Sequence, residues 1–170
     1  MSAGERSALV LTISDGVARG TRFDESGEGL ARRLAELGFA VERAACADEP
    51  SDIGGAVTAG AVKHQFVITT GGTGLGPRDR TPQTLDALLD YQLPGFGEQM
   101  RAHGRRATPF ADLSRSLAGV IDQTLVVAVP GSPRAALESL AALEPILDHA
   151  LETLGGRTAH AGTEEQRSGR

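Results

Sequence analysis

Three short apolar runs, at residues 8–13, 66–70 and 125–129, constrain the fold more than any other feature of this chain. Each run is continuous rather than alternating, a pattern typical of parallel strands that are covered on both faces. Neighbouring parallel strands need a crossover connection, which is usually a helix. We therefore predict a three-layer α/β/α fold with a mostly parallel central sheet.

The segments between these runs supply the helices and the remaining strands. Leu30, Leu34 and Leu37 recur at helical spacing, and Gly38 is a suitable stop. Pro145 should kink or split the last helix. The other predicted elements are a polar loop at 14–24, a strand at 39–45, helices at 50–63 and 81–91, a turn or short helix at 94–101, an irregular hairpin at 108–123 and a final helix from 133 to 154.

A glycine-rich segment at residues 71–79 follows the second apolar run. Thr81 and Pro82 come next and predict a helix start, with Thr81 at the N-cap and Pro82 at the first helical position. A glycine-rich turn between a strand and a helix exposes backbone N–H groups that can face phosphate oxygens. Asp79 adds a carboxylate. This combination suggests a site for a nucleotide and its magnesium ion.

The spacing within this segment fits neither common phosphate-binding motif. A P-loop would continue with Gly-Lys-Ser/Thr, whereas residues 77–79 are Pro-Arg-Asp. A dinucleotide fingerprint is also excluded, because Gly72, Gly74 and Gly76 are evenly spaced. The alternative is a tight turn that uses glycine for its positive φ angles, with Asp79 on the surface.

Each of the three apolar runs ends in a loop of similar character. Residues 14–16 are Ser-Asp-Gly, residues 71–79 are the glycine-rich segment, and residues 130–133 are Pro-Gly-Ser-Pro. In open α/β sheets, ligands bind outside the carboxyl ends of the strands. We therefore expect the three loops to meet at one pocket.

Composition narrows the functional classes. A net charge of −5 and a pI near 5.4 argue against nonspecific nucleic-acid binding. Lys63 is the only lysine, so phosphate contacts fall to arginine or to backbone amides. Cys46 is the only cysteine, which is consistent with a reducing cytoplasm. Neither a membrane span nor a signal peptide is apparent. We expect a cytoplasmic protein with one domain at residues 1–154 and a disordered tail at 155–170.

The glycine-rich segment and several ordered pieces of the chain resemble a known family. Thr69 to Leu75 followed by Pro-Arg-Asp is similar to the molybdopterin adenylyltransferases of the MogA/MoaB type, which are related to the G domain of gephyrin. The pieces that agree are residues 13–15, 24–27, 48–49, 94–101, 108–109, 113–115 and 130–133. The resemblance implies that molybdopterin and ATP react in the presence of Mg²⁺ to give adenylylated molybdopterin and pyrophosphate. It also implies a homotrimer, or a hexamer built from trimers, and makes other molybdenum cofactor enzymes, such as the molybdenum insertase, candidate partners.

The resemblance also assigns roles to residues. Asp48 and Asp79 match the catalytic acidic positions, where we prefer a role in holding Mg²⁺ or in positioning over a general-base role. Gly71, Gly72, Thr73 and Gly74 would hold phosphates through their amides. Further candidates for binding substrate or nucleotide are Ser14, Asp15, Arg78, Ser114, Arg115, Pro130, Gly131 and Ser132. Arg78 could contact phosphate or pair with a carboxylate, Ser114 and Arg115 could contact substrate or lie in a surface hairpin, and Ser132 could bind ligand or cap the last helix.

Three positions depart from the family pattern, namely Gly16, Ala47 and Arg80. None of them removes a carboxylate or a loop glycine, so they bear on substrate affinity more than on reaction class. Two other functions stay open at this point. One is a non-catalytic molybdopterin-binding paralogue or scaffold, and the other is a nucleotide-binding module outside molybdenum metabolism.

Overall fold

A computed structural model describes residues 6–156 of the chain. The strands are β1 (Ser7–Ile13), β2 (Ala40–Cys46), β3 (Phe66–Thr70), β4 (Tyr91–Gln92), β5 (Leu117–Ile121) and β6 (Thr124–Val129). The helices are α1 (Asp15–Ala18), α2 (Glu25–Glu36), α3 (Pro50–Lys63), α4 (Thr81–Asp86), α5 (Pro94–Gly104) and α6 (Pro133–Leu154), with a short 3₁₀ helix at Pro109–Leu113. The tail predicted at 155–170 lies outside the described residues from residue 157 onward.

The strands form one six-stranded sheet in the order β2-β1-β3-β6-β5-β4. Strands β2, β1, β3 and β6 run parallel, and β5 and β4 continue the sheet antiparallel. Helices cover both faces: α2, α5 and α6 pack on one face, and α3 and α4 on the other. Strands β3 and β6 are buried along their whole length. The predicted three-layer α/β/α fold with a mostly parallel sheet is confirmed.

The predicted helix at 81–91 begins at Thr81 as expected, but its predicted N-cap and its C-terminal end are wrong. Arg80 occupies the N-cap, and Thr81 is the first helical residue because its hydroxyl group donates to the carbonyl of Gly71 instead of capping the helix. The helix ends at Asp86, since Tyr91 and the residue after it pair with β5. Pairing within the sheet thus overrides the local helical pattern.

Three other predictions need adjustment. The loop at 14–24 contains the short helix α1, and the predicted hairpin region holds the 3₁₀ helix followed by β5. Helix α6 runs unbroken through Pro145, so the predicted split is wrong. Pro145 and Ala141 are both exposed, so the carbonyl that loses its helical partner can bond to water. No helix among residues 6–156 is long and apolar enough to cross a membrane.

Candidate active site

The loops that follow β1, β3 and β6 meet at one edge of the sheet. These strands are neighbours, and Thr12, Thr70 and Val129 lie side by side in register, so the three chains leave the sheet at the same level. The loops line a cavity of about 570 Å³, here called the polar cavity. Its walls include Ser14, Asp48, Gly71, Gly72, Gly131 and Ser132. The predicted convergence is confirmed.

The first two residues of the glycine loop (residues 71–79) can only be glycine. Gly71 has φ of 110° and Gly72 has φ of 66°, both in the region that favours glycine. A Cβ atom at Gly71 would lie 2.4 Å from the carbonyl oxygen of Ile13, and one at Gly72 would lie 2.2 Å from Oγ1 of Thr81. The loop is therefore packed directly against β1 and the start of α4.

The carbonyl oxygens at the start of the glycine loop all accept hydrogen bonds from the protein. Oγ1 of Thr81 donates to Gly71 O (2.9 Å), and the Thr81 N–H donates to Gly72 O (3.2 Å). The N–H of Arg115 donates to Thr73 O (2.9 Å), and its Nε donates to Gly74 O (2.9 Å). Each of these oxygens is thus turned toward the protein.

The amides of the same residues behave in the opposite way. Within residues 6–156, the N–H groups of Gly72, Thr73, Gly74 and Leu75 donate to no protein acceptor. Gly71 differs, because its N–H donates to Val129 O at 3.2 Å. The prediction that Gly71 offers its amide to phosphate is therefore wrong, since that amide extends the sheet toward β6. A row of free donors remains at residues 72–75.

Asp79 closes the glycine loop on itself. Its Oδ2 accepts the N–H of Gly76 at 2.8 Å, and its own N–H donates to Gly76 O at 3.0 Å. A Cβ at Gly74 or Gly76 would lie within 2.8 Å of this carboxylate oxygen, so both glycines make room for it. The other oxygen of Asp79 accepts no hydrogen bond from residues 6–156.

A second cavity of about 580 Å³, here called the apolar cavity, lies on the other side of the glycine loop. Three apolar side chains on its walls are exposed: Leu75 (68%), Phe110 (74%) and Leu113 (53%). Asp79 and Ser114 also line it, and the hydroxyl groups of Ser114 and Ser116 lie 2.8 Å apart. The apolar and polar cavities share the wall made by Gly72, Gly131 and Ser132.

Asp15 and Asp48 fix each other through reciprocal hydrogen bonds. The N–H of Asp15 donates to Oδ2 of Asp48 at 2.9 Å, and the N–H of Asp48 donates to Oδ1 of Asp15 at 3.1 Å. These bonds tie the loop after β1 to the loop after β2. Among residues 6–156, the second oxygen of Asp48 has no hydrogen-bond donor, so it is available at the edge of the polar cavity.

Arg78 pairs with carboxylates on the neighbouring loops. Its guanidinium lies 2.7 Å from Oδ2 of Asp15 and 3.5 Å from Oε1 of Glu49. The hydrogen bond from Arg78 is the main cause that lowers the pKa of Asp15, and the N–H of Asp48 adds to it. Of the two sequence-based alternatives for Arg78, the structure shows the carboxylate pair, which latches the glycine loop to the loop after β1.

The loop after β6 is held by the end of β3 and the start of α6. Oγ1 of Thr70 donates to Pro130 O at 2.8 Å, and Ser132 caps α6 by accepting the N–H of Ala135 at 3.4 Å. The predicted capping role of Ser132 is confirmed. Gly131 packs against Gly71, because a Cβ atom added to Gly131 would lie only 3.2 Å from the Cα atom of Gly71. The N-terminus of a 22-residue helix therefore lies at both cavities.

Sequence reasoning assigned no site role to Asp24, which lines the polar cavity. Its carboxylate caps α2 through the N–H of Gly27 (2.9 Å), accepts Oγ1 of Thr12 (2.9 Å) and pairs with Arg43 (3.0 Å). The Asp-x-Ser-Gly pattern at 24–27 could have predicted that Asp24 caps a helix, since aspartate favours the N-cap position. Its contacts explain Asp24 as a structural support at the cavity wall.

The two candidate metal ligands do not share a cavity. Asp48 lines the polar cavity, whereas Asp79 lines the apolar cavity, and within residues 6–156 no three His, Cys, Asp or Glu side chains are grouped to hold a metal. Each carboxylate nevertheless keeps one free oxygen. Mg²⁺ commonly takes one or two carboxylates and completes its shell with water and substrate phosphates. The donor set therefore fits a magnesium ion that arrives with its nucleotide, not one held by the protein alone.

Comparison with known proteins shows the family to which the chain belongs. Residues 9–149 match the family model described as a probable molybdopterin binding domain. A molybdenum cofactor biosynthesis bifunctional protein from Synechococcus elongatus is 41% identical over 88% of this chain, but the match spans only 47% of that relative. The chain thus spans about half the length of such bifunctional relatives. A molybdopterin adenylyltransferase from Helicobacter pylori is 34% identical, with 86% of each chain covered.

Solved structures lead to the same family. The molybdopterin biosynthesis enzyme MoaB from Thermus thermophilus is 42% identical, with a TM-score of 0.81 and coverage of 89% of this chain and 97% of that one. A molybdopterin biosynthesis protein from Mycobacterium abscessus is 36% identical, with a TM-score of 0.84 and coverage of 89% and 97%. The chain therefore belongs to the molybdopterin-binding domain family that includes the MoaB and Mog proteins of molybdenum cofactor biosynthesis.

Proposed function

We propose that this chain is a molybdopterin adenylyltransferase, which uses ATP and Mg²⁺ to adenylylate molybdopterin and releases pyrophosphate. The name of the Helicobacter pylori relative, with which it shares most of its length, supports this reaction. The site supports it independently, because the two cavities can accept two substrates on either side of a common wall.

The observation that carries the proposal is that the carbonyls of the glycine loop are bonded to the protein while its amides are free. Four carbonyl oxygens, from Gly71 to Gly74, are bonded to the protein, while the amides of residues 72–75 have no acceptor among residues 6–156. Such a row of fixed donors binds phosphate oxygens at no cost of reorganisation. The N-terminus of α6 lies nearby with an uncharged cap, Ser132, and its helix dipole favours an anion there.

The chemistry needs alignment more than proton transfer. An oxygen of the terminal phosphate of molybdopterin attacks the α-phosphorus of ATP, and the bond from that phosphorus to the β-phosphate oxygen breaks. The attacking phosphate is already anionic at neutral pH, so no general base is required. The barrier comes from bringing anions together, which fixed amide donors and correct positioning lower.

Asp48 and Asp79 have separate tasks in this proposal. Asp48 faces the polar cavity with a free oxygen and would hold Mg²⁺ together with phosphate oxygens. When bound, Mg²⁺ neutralises charge on the phosphates. Asp79 is fixed by the Gly76 amide, so its free oxygen has a defined position at the apolar cavity, where it would orient the reacting groups or help to hold Mg²⁺.

The test is adenylyl transfer by Asp79→Asn. Asparagine keeps an oxygen that can accept the Gly76 N–H, so the loop should stay closed while the charge is lost. We expect wild-type protein to convert molybdopterin and MgATP to adenylylated molybdopterin, measured by mass spectrometry, and Asp79→Asn to lose this activity. The matched control is Asp148→Asn, because Asp148 is exposed on α6 away from both cavities.

The possible outcomes separate the functions that the sequence leaves open. If the protein binds molybdopterin measurably but forms no product, the chain is a non-catalytic binding protein and not an enzyme. Nucleotide binding without molybdopterin binding would place the chain outside molybdenum metabolism. Full activity in Asp79→Asn would remove the proposed role of that carboxylate while leaving the reaction intact.

We also propose that the chain works in the cytoplasm as a homotrimer, or as a hexamer built from two trimers, with enzymes such as the molybdenum insertase as partners. The lone Cys46 is consistent with a reducing compartment. The exposed side chains of Phe110 and Leu113 are candidates for burial against another copy. Light scattering coupled to gel filtration gives the mass in solution, and a monomer at micromolar concentration would contradict the trimer.

A further inference from the structure

Arg115 holds the glycine loop through two of its backbone carbonyls. Its Nε donates to Gly74 O at 2.9 Å, and a terminal nitrogen donates to the carbonyl of Asp79. Arg115 lines neither the polar nor the apolar cavity, but a separate groove on the outer surface of the loop. The guanidinium therefore joins the two ends of the segment 74–79.

The segment that carries Arg115 is itself anchored. Arg101 in α5 donates to the carbonyls of Ser114 (3.3 Å) and Ser116 (2.9 Å), on either side of Arg115. Gly97 permits this approach, since a Cβ there would lie 2.8 Å from Ser116 O. A chain of hydrogen bonds thus runs from α5 to the glycine loop.

The planarity of the peptide bond explains what this anchoring achieves. In a trans peptide the N–H of one residue points opposite to the C=O of the residue before it. Holding Gly74 O toward Arg115 therefore turns the N–H of Leu75 away, and this is one of the free donors. Holding the Asp79 carbonyl fixes the backbone from which the Asp79 carboxylate projects.

We infer that Arg115 is a positioning residue that fixes the segment 74–79, and with it the Leu75 amide and the Asp79 carboxylate, and that it does not bind phosphate itself. The inference rests on the proposed function, because the amide and the carboxylate are the groups to be positioned. Lysine cannot replace Arg115, since one ammonium lacks the planar fork that reaches two separate carbonyls.

The experiment compares Arg115→Lys and Arg115→Met with wild type in ¹⁵N relaxation, without any ligand. We expect the order parameters of the amides at residues 75, 76, 78 and 79 to fall from values near 0.85 toward about 0.6 in both variants. The amides of β3 should not change, which shows that the fold is intact, and Arg115→Lys serves if the methionine variant fails to fold. Arg80→Met is the matched control, because Arg80 borders the same loop and its side chain bonds to no residue among 6–156. Unchanged order parameters in both Arg115 variants would overturn the inference.

Kinetics and binding test whether Arg115 touches the ligand. In both variants we expect the kcat of adenylyl transfer to fall about tenfold or more, as with other supporting residues of active sites. The Kd for MgATP should change by less than about threefold, and its ratio between low and high salt should match wild type. A Kd that rises in Arg115→Met but not in Arg115→Lys, with a weaker salt dependence, would show direct phosphate contact instead. If wild type neither binds MgATP nor transfers adenylate, the proposed function fails, while the relaxation data still decide whether Arg115 fixes the loop.

Discussion

Thr81→Val tests how the glycine loop is held. Thr81 is fully buried, and its hydroxyl is the hydrogen-bond partner of Gly71 O, which lies in a buried residue. Valine keeps the shape but removes the donor. In the present structure Oγ1 lies 2.9 Å from Gly71 O, so the methyl group that replaces Oγ1 must move back from that oxygen. A buried acceptor left without a partner costs about 1–3 kcal/mol, so we expect the free energy of unfolding to fall by about 2 kcal/mol.

Urea denaturation, monitored by circular dichroism, measures this loss. The slope of the unfolding free energy against urea concentration should not change. Thr84→Val is the matched control, because the Thr84 hydroxyl makes the same type of bond to Arg80 O (2.9 Å) on the exposed side of the same helix. Water can replace that bond, so the control should change stability by less than about 0.5 kcal/mol. Thr81→Ser keeps the donor and should recover most of the loss. Equal effects of Thr81→Val and Thr84→Val would refute the reasoning.

Three further predictions concern individual side chains. The hydrogen bond from Arg78 lowers the pKa of Asp15. The contribution of this ion pair to stability is therefore present above the ordinary pKa of 3.8 and is lost as the pH falls through the lowered pKa. A carboxyl titration by NMR should show the pKa of Asp15 rising in Arg78→Met, and an unchanged value would contradict the latch. Burial raises the pKa of the Cys46 thiol to about 11 from 9.0, so we expect alkylation at neutral pH to be about a hundredfold slower in the folded than in the unfolded protein, and comparable rates would exclude this environment. Glu144→Gln breaks the two-pronged contact with Arg33 (2.7 and 2.8 Å), and because both side chains are partly exposed the unfolding free energy should fall by less than about 1 kcal/mol, with a smaller loss in high salt.

Sequence patterns predicted the elements whose causes are local. The helix at Pro50–Lys63 and the strand at Phe66–Thr70 were predicted with the bounds that the structure has, because proline at a helix start and a continuous apolar run act within a few residues. Elements that depend on distant partners were not. Strand β4 begins at Tyr91, which the local pattern assigned to a helix, because β5 offers open backbone groups beside it.

The same division holds in the candidate site. The glycines and aspartates of the site were recognisable from residue type and order, and the strand pattern predicted that their loops would converge. The sequence could not predict which amides are free. The N–H of Gly71, for example, donates to the carbonyl of Val129, a residue 58 positions further along the chain. The partners of Arg78, Arg101 and Arg115 were equally inaccessible, because a long side chain can reach any acceptor that the fold brings within range.

The sequence by itself determined the fold class, the family and the inventory of groups at the site, because apolar runs, glycines and carboxylates carry their physical tendencies wherever they are placed. Only the tertiary structure decided how those groups are used. It assigned the loop carbonyls to Thr81 and Arg115, left the amides of residues 72–75 free, and placed Asp48 and Asp79 at different cavities. These outcomes depend on hydrogen bonds between segments far apart in the chain, and such bonds exist only after the sheet has brought the segments together.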